Sequence, residues 1–102
     1  MIVEYTRYRI KEDRREAFVE AYEKAADYLK QSPACVAYEL THCTEEPERF
    51  ILRIEWKSTE DHLQGFRKEP GFKEFFQLVQ PFFHDIEEMQ HYELTGVAHS
   101  AR

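Results

Sequence analysis

The sequence predicts an α+β fold: one antiparallel sheet with its helices on a single face, in the order β-α-β-β-α-β. Three observations lead there. Three runs alternate apolar and polar residues with the period of a strand, and a fourth regular run, ending in HYEL, precedes the tail. Two of the alternating runs flank a short polar turn, as a hairpin does. Between the first and second runs, and again before the last, apolar residues recur every three or four positions, which is helical spacing.

Each element has its own signal. Over residues 2–11, Ile2, Tyr8 and Ile10 share a parity opposed by Arg7, Arg9 and Lys11, which reads as a strand. Asp13 followed by Glu16 has the spacing of a capping box. Phe18, Ala21, Tyr22, Ala25 and Leu29 then form one apolar stripe, predicting a helix over 14–31 that stops before Pro33. Residues 35–43 alternate again, TEEPER (44–49) is a turn, and Phe50, Leu52, Ile54 and Trp56 line one face of a third strand over 50–57. Ser58 with Asp61 marks a helix start running to about Arg67. Pro70 suits the first turn of a further helix whose stripe is Phe72, Phe75, Phe76 and Val79, ended by Pro81. The run 86–95 reads as the last strand, although DIEEMQ at its start could continue a helix. The resulting order is the split βαβ, ferredoxin-like pattern. One domain is expected over 1–95, with 96–102 a flexible tail.

Composition narrows the function classes. A chain of 102 residues with eight Phe, six Tyr and one Trp has the apolar material for one core. A net charge of −6 without a basic run argues against nucleic acid as a partner. No stretch is long and apolar enough to predict a membrane span, and the first residues mix acid and base unlike a signal peptide. Cys35 and Cys43 are too few for a disulfide framework. On one strand they would stand roughly 26 Å apart. Reduced thiols in a cytoplasmic protein are the expectation.

The two sheet faces differ. Ile2, Tyr8, Ile10, Val36, Tyr38, Leu40, Leu52, Ile54 and Trp56 should lie under the helices. Tyr5, Arg7, Arg9, Ala37, Glu39, Thr41, Ile51, Arg53 and Glu55 should form the open face, a mixture of apolar residues and both charges. Two readings compete for that face. In one it is solvated; in the other, which we prefer, it packs against a second copy with Arg53, Glu55 and Glu39 as paired charges.

Cofactor motifs are absent. Three glycines (Gly65, Gly71 and Gly96) supply neither a phosphate loop nor a dinucleotide fingerprint. Ser32, Ser58 and Ser100 have no nucleophile-elbow context. The five histidines show no zinc-type spacing, and Glu87, Glu88 and His91 form a lone motif without a second copy, so no metal and no cofactor is expected. The segment 50–66 instead leads from an apolar strand through Trp56 into a helix bearing His62 and Phe66, followed by the Phe-rich 72–83. For single phenylalanines, packing is the ordinary role. Tyr8, Tyr38 and Trp56 share one sheet face and carry polar tips that need partners, which points to an aromatic pocket. With Leu52, Phe66, Phe72, Phe75 and Phe76 they are the candidate walls for a small aromatic or hydrophobic molecule.

The strand RYRIKED (7–13), the hairpin CVAYELTHCTEEPERFILRIEWKS (35–58) and the closing HYEL (91–94) resemble the antibiotic-biosynthesis-monooxygenase domain, the quinol-monooxygenase-like branch of the dimeric α/β-barrel group. The resemblance covers about residues 1–95. It implies a homodimer in which two ferredoxin-like chains pack their open faces into a barrel. It also implies a pocket between sheet and helices, and oxygenation of a phenolic, quinol or polyketide-like substrate with O₂ and no cofactor. Such chemistry needs an apolar pocket, a donor to hold the substrate anion and an acceptor for its proton. Tyr38 and Trp56 are candidate donors, and His42 or His62 the candidate acceptor. Two other functions compete: a non-catalytic module that only holds a small hydrophobic ligand, and a haem-binding or haem-degrading member of the superfamily. The haem branch uses an Asn where Thr6 stands, and a Trp and a His near Gly65 and Phe76, none of which appears here. Haem degradation is therefore disfavoured.

Overall fold

Alternation dictates strands because successive side chains of an extended chain point to opposite faces. In the computed structural model, which describes residues 1–58, 60 and 64–101, the alternating runs are β1 (Ile2–Arg9), β2 (Cys35–His42) and β3 (Arg49–Trp56). The closing run, Ile86–Glu93, is a strand throughout, β4. Among the described residues, the helices of eight residues or more are α1 (Arg15–Gln31) and α2 (Phe72–Val79). The sheet runs β2-β3-β1-β4, every neighbouring pair antiparallel. This is the ferredoxin-like α+β fold.

Register decides which residues face the helices. Ile2 opposes Trp56, Glu4 opposes Ile54, Thr6 opposes Leu52 and Tyr8 opposes Phe50 across β1 and β3. Leu52, Ile54 and Trp56 are buried on that face with Tyr8 and Ile10, while Ile2, Tyr38 and Leu40 are partly covered. Val36 departs from the expected core: it is 47% exposed. The pairing of β2 with β3 slips between Cys35 and Ala37, and this irregularity takes Val36 out of the alternation.

Helix α1 lays Phe18, Tyr22, Ala25 and Leu29 on the sheet, with Ala21 at the margin of the core. Its start differs from the capping box expected at Asp13 and Glu16. A 3₁₀ turn over Glu12–Arg14 precedes it, and Arg14 occupies the cap position without a side-chain cap bond. Arg14 instead donates to Asp85 and to the carbonyl of Pro81 (2.8 Å), and its guanidinium lies 4.8 Å from the Phe82 ring centre. One arginine thus ties the start of α1 to the segment before β4.

The second helical region is shorter and more broken than its spacing suggests. Phe66–Lys68 is a 3₁₀ turn, α2 begins after Gly71 rather than at Pro70, and Pro81 opens a 3₁₀ stretch over Gln80–Asp85 instead of ending all helical structure. Proline cannot donate the next α-type bond, so the ladder tightens there. Of the helix expected from Ser58 to about Arg67, residues 59 and 61–63 lie outside the described residues; Glu60 is helical, and 64–65 form a π-type turn that leads into the 3₁₀ turn. Gly71 permits close approach: a Cβ at that position would stand 3.0 Å from the Tyr28 ring of α1.

The other sheet face carries mixed chemistry, as expected. Arg53 reaches Glu55 at 3.2 Å, Glu39 at 3.9 Å and the Tyr5 hydroxyl at 3.4 Å. Arg7 pairs with Glu88 at 3.2 Å, and Tyr5 meets Tyr92 edge-on at 5.4 Å. Both cysteines are free thiols. No helix among the described residues is long and apolar enough to cross a membrane.

Candidate active site

The aromatics divide into two groups. Phe18, fully buried, is the hub of the first, with ring centres of Tyr8, Phe50, Phe82 and Tyr22 at 4.8, 5.0, 5.1 and 5.2 Å. The second runs from Trp56 to Phe66 (5.5 Å), on to Phe72 and Phe75 (5.4 and 5.1 Å), and from Phe72 through Phe76 to Phe83 (5.9 and 5.2 Å). Tyr8 and Tyr22 of the first group and the rings of the second line one space between sheet and helices. A cavity of about 720 Å³ is left, within the range of small-molecule sites.

Strand β1 contributes Glu4, Thr6 and Tyr8 to this cavity, and β3 contributes Leu52, Ile54 and Trp56. Helix α1 adds Tyr22. Phe66 and Arg67 come from the 3₁₀ turn, and Phe72, Phe75, Phe76 and Val79 from α2. Phe83, Ile86 and Met89 complete the wall near β4. Of the candidate residues, Trp56, Tyr8, Leu52, Phe66, Phe72, Phe75 and Phe76 are brought together here. Tyr38 is not: it packs beside the core, one strand further out.

His42 is placed elsewhere. It shares the helix-side parity but ends the edge strand β2, where its ring stacks on Phe50 (4.2 Å between centres, planes 3° apart). Its Nε2 lies 2.7 Å from the Pro47 carbonyl. It borders an open, charged groove along the first turns of α1, lined also by Arg15, Glu16 and Glu20, rather than the aromatic cavity. His62 lies outside the described residues. Among the described residues no three His, Cys, Asp or Glu side chains converge as a metal site would require.

The polar end of the cavity was missed by the sequence reading. Glu4 is only 4% exposed. Thr6 donates to its Oε2 at 2.8 Å, and the Trp56 indole donates to its Oε1 at 3.2 Å. Burial pushes the Glu4 carboxyl above its ordinary 4.5, opposed by these two bonds and by His91, its partner across β4. Donors to both oxygens hold the charged form in a place that otherwise disfavours it. The available signal was parity: Glu4 and Thr6 stand between Ile2 and Tyr8 on the core face, where a carboxylate needs a reason.

Tyr8 and Tyr22 form a second polar pair, their hydroxyls hydrogen-bonded to each other across the cavity wall. Burial raises the Tyr8 phenol to about 12 and the Tyr22 phenol well above its usual value, so both stay neutral. The cavity therefore joins apolar rings, neutral hydroxyls and one buried carboxyl. Such a site can hold a planar molecule by its rings while a polar group of that molecule meets Glu4.

Residues 1–78 match the family model described as antibiotic biosynthesis monooxygenase. The Bacillus subtilis protein YczJ, itself uncharacterized, is 28% identical over 93 residues, spanning 91% of this chain and 98% of its own. A solved structure of a candidate antibiotic biosynthesis monooxygenase from Bordetella bronchiseptica superposes with a TM-score of 0.78 at 22% identity, over 91% of this chain and 95% of that one. A similarly described structure from Chloroflexus aurantiacus gives 0.77 at 17% identity, over 97% and 96%. At such identities the structural likeness is one of fold.

Proposed function

The chain belongs to the antibiotic biosynthesis monooxygenase family, and on that premise we propose that it is a cofactor-independent monooxygenase acting on a small aromatic substrate with O₂. The observation that carries the reading is the cavity of about 720 Å³, walled by phenylalanines and Trp56, with a carboxyl, a threonine hydroxyl and two phenols at its polar positions. Phe66, Phe72, Phe75 and Phe76 would grip the rings of a quinol, phenol or polyketide-like molecule, and Leu52 and Ile54 would form its floor.

The chemistry asks little of the protein beyond this. The substrate loses a proton and becomes an electron-rich enolate or phenolate. That anion gives one electron to O₂, and the resulting radical and superoxide combine, forming a C–O bond. Where the carbon bears a second hydrogen, the peroxide takes up a proton and then loses water as its O–O bond breaks. A ring CH₂ and O₂ have then become a ring carbonyl and water, with all electrons supplied by the substrate. A largely apolar cavity favours the sequence by limiting the water around the radical pair.

The family premise and the mixed open face also support a homodimer, with Tyr5, Ile51, Arg53 and Tyr92 against a second copy. Light scattering at micromolar concentration should give twice the 12.3 kDa chain mass; the chain mass itself would sink the dimer. For catalysis, oxygen uptake is measured with a panel of anthrones and quinols on metal-free protein. Turnover above buffer, reduced in Phe75→Ala and Phe76→Ala, is expected. No substrate consumed above the buffer rate would refute the reading, and a ligand bound but returned unchanged under O₂ would make the protein a binding module.

A further inference from the structure

The reaction needs a proton acceptor inside the cavity; of the two candidate histidines, His42 borders a different groove and His62 lies outside the described residues. We propose that Glu4 takes the hydroxyl or enol proton of the substrate, and that it thereby makes the cavity select aromatics bearing an ionisable hydroxyl over ethers of the same shape.

Three observations point to this residue. Glu4 lines the cavity although it is nearly fully buried, so its carboxyl sits at the cavity's inner wall rather than on the protein's outer surface. Its two oxygens are each fixed by a donor, Thr6 and the Trp56 indole, which orients them without neutralising them. Among the described residues it is also the sole carboxylate in the wall; the other polar members are Thr6, the tyrosine pair, Trp56 and Arg67. Trp56 and Thr6 are positioning residues in this account.

In the step itself the substrate O–H bond breaks and an O–H bond forms on Glu4, while the electron pair stays on the substrate oxygen. The substrate has gained the charge it needs to reduce O₂. Burial favours the protonated carboxyl and so narrows the gap between the acid and the phenol, which is the usual way such a base is adjusted. Among the described residues, the titratable or charged groups around Glu4 include Tyr8, Tyr22, Arg67, Cys35 and His91. Both phenols are held neutral, and the Cys35 thiol is pushed up to about 11 by burial, so none of these three competes for the proton.

The inference rests on the monooxygenase reading for its role in turnover, but its test does not. Calorimetric titration compares 1-naphthol with 1-methoxynaphthalene on the wild type, Glu4→Gln and His91→Gln. The wild type should prefer the naphthol by about tenfold or more, because a charged acceptor left facing an ether oxygen loses a strong bond. In Glu4→Gln the preference should fall to about twofold, since the amide can donate to either probe. Circular dichroism checks that the variant is folded. If it is not, the wild type decides alone. Its preference should decline as pH is lowered and Glu4 is protonated, and His91→Gln should retain that decline. Equal binding of the two probes by the wild type, a preference that survives in folded Glu4→Gln, or a preference independent of pH would each overturn the proposal. Oxygen uptake separates the two readings. Hydroxyl selection by Glu4 with no turnover leaves this inference standing and the monooxygenase reading refuted. Undiminished turnover in Glu4→Gln does the reverse.

Discussion

Replacing Trp56 by Phe tests whether the indole N–H holds a charged carboxylate. Trp56 is 1% exposed and donates to Glu4 at 3.2 Å. The exchange removes roughly 40 Å² of buried apolar surface, or about 1 kcal/mol at about 25 cal/mol per Å². It also removes a hydrogen bond to a charged acceptor, worth about 1.5–3 kcal/mol. The expected loss at neutral pH is about 3 kcal/mol, against a total stability of about 5–15 kcal/mol for a domain of this kind. The sign of the pH dependence follows from Glu4. Its carboxyl is raised in the folded state above the 4.5 of the unfolded chain, so ionising it costs stability. That cost is absent below about 4.5 and complete above the folded value. Trp56 favours the charged form, so losing it raises the folded value further and enlarges the cost at high pH. Urea denaturation followed by far-ultraviolet circular dichroism, from about pH 8 down to about pH 4.5, should show a destabilisation that shrinks by about 1 kcal/mol toward acid. A loss that is flat with pH, or larger in acid, would refute the idea that this bond stabilises a carboxylate.

Phe18→Ala removes the hub of the first aromatic group at a position with no exposure, and should cost about 3–5 kcal/mol, read as a large fall in thermal midpoint. A loss under about 1 kcal/mol would mean the hub can collapse around the gap. Cys35, whose thiol is raised by burial from 9.0 to about 11, should have about a hundredfold less thiolate at neutral pH than an ordinary cysteine. Its alkylation by iodoacetamide, followed by peptide mass spectrometry, should be slow in native protein and fast in urea; equal rates would contradict the burial.

Much of the cavity wall was legible because aromatics at helical and alternating spacing announce themselves. Phe72, Phe75, Phe76, Leu52, Trp56 and Tyr8 were all found that way. Glu4 and Thr6 were not, although they have the parity of Tyr8: a polar residue within a strand reads as solvent-facing until something is known to cover it. His42 shows the converse. Its parity matches that of Trp56, yet it ends the edge strand β2 beside the first turns of α1, whereas the cavity opens under α2. Tyr38 is displaced for the same reason, since β3 separates it from β1.

What the sequence determined by itself was the order of elements and the two faces of the sheet. Period-two and period-3.6 patterns are local properties, and a one-residue slip would expose a whole strand's apolar set. Only the tertiary structure decided where the helices leave a gap. The cavity is walled by residues of β1, β3, α1, α2 and β4. These residues are distant in the chain, and their contacts turn a carboxylate on a strand's inner face into a buried acid with two donors. The pattern marked the face on which Glu4 lies; packing supplied the space in front of it.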